Sequence, residues 1–289
     1  MLIQKITWGL WNQMFQYAYV KALSLKNKVD FNLDISWYKN YFRPYELEIF
    51  AVEKKYATSK DIPWYERITI RFSIFNFIYS KIKERLKRLN PNHYTEKSLL
   101  RDSNFMQIKS GYIEGYFQSE KYFKKYKTKI RSDFSFILPI SHQSTEILKK
   151  IQSTNSVSLH IRRGDYLKGD NINYHGICPI DYYHQAISYL KSKEENLTFF
   201  FFSDDIGRVK ENFKIKNKYF IDRNKGKDSR QDMKLMSECK HNIIANSSFS
   251  RWGAWLNANP SKIVIAPKQR FANEELESLD IIPDNWIKL

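Results

Sequence analysis

At 289 residues, with 42% hydrophobic and 27% charged side chains, the chain is long and apolar enough to bury one large core or two ordinary ones, which excludes global disorder. Its formal charge of +17 calls for an anionic partner, and nucleic acid, an acidic membrane surface and a phosphorylated substrate all answer to it. The basic residues are spread over 81–90, 121–131 and 208–230. That dispersion speaks against a dedicated nucleic-acid tail and for an enzyme that binds anions, with peripheral contact to an anionic inner membrane. Two cysteines, Cys178 and Cys239, supply neither a disulfide framework nor a zinc site. The opening MLIQKITWGLWNQ lacks the order of a signal peptide, and no apolar run nears the roughly 20 residues of a spanning helix. The expected setting is therefore the cytoplasm.

Along the chain, Leu2–Ile6 reads as a strand, Asn12–Leu25 as a helix and Val29–Leu33 as a second strand. A lysine- and aromatic-rich helical insert covers roughly 60–90, and a further strand falls near Gly111–Gly115. The segment 134–155 holds a proline and a polar cluster, and it is the expected domain boundary, dividing the chain into 1–150 and 151–289. Beyond it, short near-continuous apolar runs recur at Val157–Ile161, Thr198–Phe202, Lys218–Ile221, Asn242–Ala245 and Ile263–Ala266. Such runs are the mark of strands buried on both faces. Helical spacing fills the gaps at Ile180–Ser192, Ile206–Phe213, Gln231–Cys239 and Phe249–Ala258. Alternating strands and helices imply an α/β protein with parallel sheets, here as two domains facing each other across a cleft.

Ligands of open parallel sheets bind beyond the carboxyl ends of the strands, so the residues that follow each strand are the ones to inspect. They are Arg162-Arg163-Gly164-Asp165, Ser203-Asp204-Asp205, Asp222-Arg223-Asn224, Asn246-Ser247-Ser248 and, in the first half, Thr7-Trp8-Gly9-Leu10-Trp11-Asn12. Arg162 and Arg163 supply at least one permanently charged fork suited to phosphate oxygens; the bland alternative for Arg162 is an ion pair with Asp165. Asn246, Ser247 and Ser248 lead into a helix, where they either hold a phosphate at its N-terminus or simply cap it. Asp204 and Asp205 either accept hydrogen bonds from a ribose or purine edge or cap the helix beginning near Ile206. His160 lies two residues before Arg162, with ligand contact and core packing as its two readings. The two aspartates are adjacent and not spaced for a cation, and an arginine is available to offset leaving-group charge, so no metal and no cofactor are expected.

HIRRGDY at 160–166, FFFSDD at 200–205 and LMSECKHNIIANSSFSRWGAWLN at 235–257 together resemble three motif regions of the α-1,2-fucosyltransferases of glycosyltransferase family 11. GLWNQMFQYAYVKAL at 9–23 and GYFQSEKYF at 115–123 are similar to two further segments of that family, in the same order. The resemblance implies a GT-B-like pair of Rossmann-type domains, GDP-β-L-fucose as donor substrate, and inverting transfer to the 2-hydroxyl of a galactose-type residue on an oligosaccharide or lipid-linked glycan. It further implies that Arg162 contacts the β-phosphate, that His160 lies near the guanosine, and that Asp205, beside Asp204, approaches the guanine edge. Ser247 and Ser248 would help hold the diphosphate, and Asn12 would reach in from the other domain. Asp165 is the first candidate for general base and Glu114 the second. The family carries glycine where Trp8 and Trp11 stand and tryptophan at Arg251, which puts activity at these positions in question.

Three other readings fit the sequence, and one, made plausible by Trp8 and Trp11, is a catalytically weakened relative that binds glycan or nucleotide without releasing fucose. A different nucleotide sugar fits the same phosphate contacts, and preference among GDP, UDP and ADP discriminates. A nucleic-acid-binding protein fits the charge, but no stacking signature of a known module is present.

Overall fold

The computed structural model describes residues 1–68, 73–98, 100–162, 178–268 and 280–289, without the side chains of residues 73–76. The chain forms two compact units: residues 1–137 with 279–283, and residues 138–278 with 284–289. The division thus falls between Ile137 and Leu138, earlier than position 150. The helix His142–Gln152, whose N-cap Ser141 is held by Gln231 (2.8 Å), packs with the second unit.

The first unit is built on four parallel strands, β1 (Leu2–Lys5), β2 (Phe31–Asp34), β3 (His93–Thr95) and β4 (Gly111–Glu114), in the order β2-β1-β4-β3. Helix α1 (Leu10–Asn27) lies against the sheet, with an unbroken buried stretch from Gln13 to Leu23. Such complete burial requires its polar groups to be answered. Gln16 binds Thr7 and the Gly115 carbonyl (3.0 Å), and the Tyr17 hydroxyl donates to Asp133 (2.9 Å).

The second unit carries six parallel strands. They are β5 (Asn155–Ile161), β6 (Leu197–Ser203), β7 (Lys218–Ile221), β8 (His241–Ile243), β9 (Val264–Ala266) and β10 (Ile287–Lys288), ordered β10-β9-β8-β5-β6-β7. β5 and β6 pair over seven residues, and Val157, Leu159, Phe199 and Phe201 are fully buried with Tyr183, Ala186 and Leu190 of the helix Ile180–Lys191. Phe200 and Phe202 are buried on the alternate positions of the same strand. A strand covered on both faces has no polar side to alternate, which is why these runs read as continuous.

Two backbone and burial features have consequences for stability. The turn from β1 into α1 places Trp8 at φ +66°, a left-handed conformation that glycine adopts without strain and a bulky residue does not. The turn is held by its carbonyl, which accepts from Gln13 Nε2 (2.9 Å) and the Tyr38 hydroxyl (2.8 Å). The indole, still 43% exposed, contacts Trp37, Tyr41 and Tyr116 with ring centroids 5.6, 6.0 and 6.4 Å away. In the second unit, Asp232 on the helix Ser229–Glu238 is pushed by burial from the ordinary carboxylate range up to about 7, against an opposing hydrogen bond from Asn224 (2.6 Å).

Removing the ring of Trp8 in two ways separates strain from packing. Trp8→Ala keeps a Cβ at positive φ, whereas Trp8→Gly does not, so the alanine variant should be the less stable by about 1 kcal/mol in urea unfolding. Equal stabilities would show that the turn is not strained. Asp232 has a raised pKa in the fold, so its stabilising contribution is fully present below its unfolded value and is lost as pH rises through about 7. The stability advantage of the wild type over Asp232→Asn should therefore shrink from mildly acidic to mildly alkaline pH. Parallel pH profiles would contradict the raised value.

Candidate functional site

The second unit gathers the polar residues that follow its three central strands. In the β5–β6 register Ile161 lies opposite Ser203, so the next residues of the two strands emerge side by side. Arg162 Nη1 stands 3.2 Å from Asp204 Oδ2, with both side chains between one quarter and one third exposed. Asp204 is thus an ion-pair partner of Arg162; Arg163, Gly164 and Asp165 lie outside the described residues. A partly exposed, permanently charged guanidinium at a sheet edge suits an incoming phosphate, because its planar fork offers several donors in fixed directions.

His160, the penultimate residue of β5, is buried and meets the ring of Phe249 edge-on at 5.2 Å. Burial is the main cause that lowers its pKa to about 3; the Arg162 charge adds to the effect and Asp204 opposes it. The imidazole is therefore neutral at physiological pH, and its low basicity makes it a weak proton acceptor. Its Nδ1 is buried with no hydrogen-bond partner among the described residues, a position in which a ligand donor or a water completes the bonding.

The remaining residues of this edge are placed by capping. Asp205 caps the helix Ile206–Asn212 by accepting from Arg208 N (3.4 Å), and its own amide donates to Ser203 Oγ (3.1 Å). Ser247 caps the helix Ser248–Leu256 by accepting from Phe249 N (3.3 Å). Asn246 and Ser247 are buried at the end of β8, directly beside β5 in the sheet. Arg251 is buried in the same helix. Capping and ligand binding are compatible for Ser247, since a hydroxyl that accepts one hydrogen bond retains a donor. In the first unit, Asn12 lies in the first turn of α1 and accepts from Gln118 Nε2 (3.1 Å).

Glu114, the second candidate for a base, is engaged elsewhere. It ends β4 beside Lys5 at the end of β1, where Lys5 Nζ is 3.3 Å from Glu114 and 2.6 Å from Glu66. Lys83 approaches Glu66 at 2.9 Å, Lys87 bonds to Glu114, and His93 Nε2 lies 3.4 Å from Glu114. Burial pushes the Glu114 carboxyl up, but His93, Lys5 and Lys87 together hold it far below the ordinary carboxylate range. A carboxylate so strongly paired is a very weak proton acceptor. Glu66, His93 and Glu114 also lie close enough to share a cation. Three ammonium groups already meet their oxygens, so the cluster reads as an ion-pair network. No sequence spacing signals it, because its members come from five separate elements.

Sequence reasoning also missed Glu96. It follows β3 and accepts from the amides of Tyr116 (2.7 Å) and Phe117 (2.8 Å). Phe117 sits at φ +50° and stacks on Tyr19 with centroids 3.8 Å apart. Two successive amides turned toward one carboxylate hold this turn after β4, at the start of the segment GYFQSEKYF. Burial raises the Glu96 carboxyl above its ordinary range, with the two amides and Tyr122 opposing.

The sequence profile of glycosyl transferase family 11 matches residues 2–289. An alpha-1,2-colitosyltransferase of Escherichia coli is 37% identical over all of this chain and 98% of its own length. The O-antigen biosynthesis glycosyltransferase WbnK, also of Escherichia coli, is 33% identical over 97% of this chain and 98% of its own. A galactoside 2-alpha-L-fucosyltransferase of Bos taurus, SEC1, is 21% identical over 91% of this chain and 67% of its own. The chain belongs to glycosyl transferase family 11.

Proposed function

We propose that the chain is an inverting α-1,2-glycosyltransferase that moves L-fucose from GDP-β-L-fucose to the 2-hydroxyl of a galactose-type residue on an oligosaccharide or lipid-linked glycan. The observation that carries this reading is the partly exposed Arg162 held by Asp204 beside the neutral, buried His160, at the strand-end edge of a chain that matches the family from end to end. The second unit is assigned the donor and the first unit the acceptor.

In this assignment Arg162 binds the β-phosphate, and Asn246, Ser247 and Ser248 hold the rest of the diphosphate. His160, having no charge to offer, contacts the guanosine through its ring nitrogens. Asp204 keeps the Arg162 fork oriented, and Asp205 approaches the guanine edge from its cap position. Asn12 contributes from the first unit. In the reaction the acceptor oxygen bonds to the anomeric carbon as the bond from that carbon to the GDP oxygen breaks. GDP leaves with the electron pair, and Arg162 meets the charge that develops on it. The acceptor proton passes to a base, for which Asp165 is the proposed residue, since Glu114 is made a very weak proton acceptor by its lysines. The reaction needs no metal in this account, because the guanidinium offsets the leaving-group charge. The enzyme is assigned to the cytoplasm.

The 37% identity to an alpha-1,2-colitosyltransferase favours a second transferred sugar, colitose, the 3-deoxy counterpart of fucose. The two sugars differ by one hydroxyl, and a site that hydrogen-bonds that hydroxyl rejects the deoxy sugar far more strongly than a site that does not.

Thermal shift with GDP, UDP and ADP should favour GDP; indifference to the base would contradict the donor assignment. Arg162→Ala should lower turnover by about 100- to 1,000-fold, the typical effect of removing one charge-stabilising donor, with the fold intact by circular dichroism. Chelator should leave turnover unchanged. Full activity of Arg162→Ala, or loss of activity with chelator, would overturn this mechanism.

A further inference from the structure

The helix Ser73–Leu89 presents a solvent face that water alone does not account for. Phe77, Ile78, Ile82 and Leu89 each leave between 49% and 69% of their surface exposed. At about 100° per residue, all four fall within an arc of about 140° on one side of the helix. The cations Lys81, Arg85 and Arg88 fall within the same arc and are exposed as well, and Lys81 Nζ lies 4.4 Å from the centroid of the Phe77 ring. The opposite side is the docked one: the Tyr79 hydroxyl donates to the Tyr65 carbonyl (2.6 Å), and Lys83 and Lys87 engage Glu66 and Glu114. Glu84 pairs with Lys87 (3.0 Å), and the cations of this helix are of two kinds. Lys83 and Lys87 belong to the internal ion-pair network, whereas Lys81, Arg85 and Arg88 face outward among apolar side chains.

We infer that this face seats the protein on an anionic phospholipid surface. Large apolar side chains interleaved with lysine and arginine are what an interfacial helix needs, since the rings and branched chains enter the acyl boundary while the long cationic stems reach the headgroup phosphates. The net charge of +17 adds a long-range attraction of the same sign. A second copy of the chain fits this face poorly, because a two-fold contact would set the three cations against their own counterparts. The inference stands apart from the donor and acceptor assignments and concerns residues with no part in them.

The test is co-sedimentation of the full chain with vesicles of phosphatidylethanolamine and phosphatidylglycerol, against vesicles of phosphatidylcholine alone, at low and high salt. The wild type should bind the anionic vesicles, release in high salt and ignore phosphatidylcholine. Phe77→Ser/Ile82→Ser and Lys81→Glu/Arg85→Glu should each weaken binding at least about tenfold, with unchanged thermal midpoints and unchanged transfer to a soluble acceptor. Failure of the wild type to bind, or equal binding to phosphatidylcholine, would overturn the inference. So would double variants that bind like the wild type, or a change of oligomeric state in the apolar variant by sedimentation velocity.

Discussion

β5 pairs with β6 through seven consecutive residues and with β8 on its other side, every pairing parallel. Parallel pairing sends all carboxyl ends to one edge, so whatever follows the strands is collected there without further instruction from the sequence. The register then decides neighbours: with Ile161 opposite Ser203, Arg162 meets Asp204 and not a residue further along. His160, one step inside the edge, is desolvated by the same packing that secures the sheet and so stays neutral. The first unit repeats the principle with four strands, placing Lys5 and Glu114 at the ends of β1 and β4.

The two edges use charge in opposite ways. In the first unit, buried carboxylates and lysines satisfy one another, and removing one partner would strand a buried charge, which typically costs about 3–5 kcal/mol. Such a network fixes the strand ends but offers little to a substrate, which is why Glu114 is a poor base. In the second unit, the Arg162–Asp204 pair remains partly open to solvent, where an anion can approach it. The excess of basic residues is likewise divided: some answer internal carboxylates, and others, as on the helix Ser73–Leu89, face outward.

Part of the second unit was legible because both-face burial writes itself as continuous apolarity: Thr198–Phe202 lies inside the buried strand Leu197–Ser203, whereas Lys218–Ile221, matched residue for residue, is an edge strand whose first three residues are only partly buried. β3 (HYT) and β10 (IK) were not legible, since two or three residues carry no period and exist as strands only through their partners β4 and β9. The strand-end residues were identifiable from order alone, but their partners were not. Asp204 reaches Arg162 through register, and Glu96 holds the 115–117 turn across a loop, neither of which leaves a mark in local sequence. The glycine expected at position 8 has a backbone explanation in the left-handed turn that Trp8 occupies under strain.

The central claim is α-1,2 transfer of a GDP-linked deoxy sugar, and it is tested most directly by the linkage and anomeric configuration of the product. With GDP-β-L-fucose and a galactoside acceptor, NMR of the product should show an α-linked fucose on the galactose 2-oxygen. Retention of the β configuration, transfer to another hydroxyl, or release of free fucose without transfer would contradict the account.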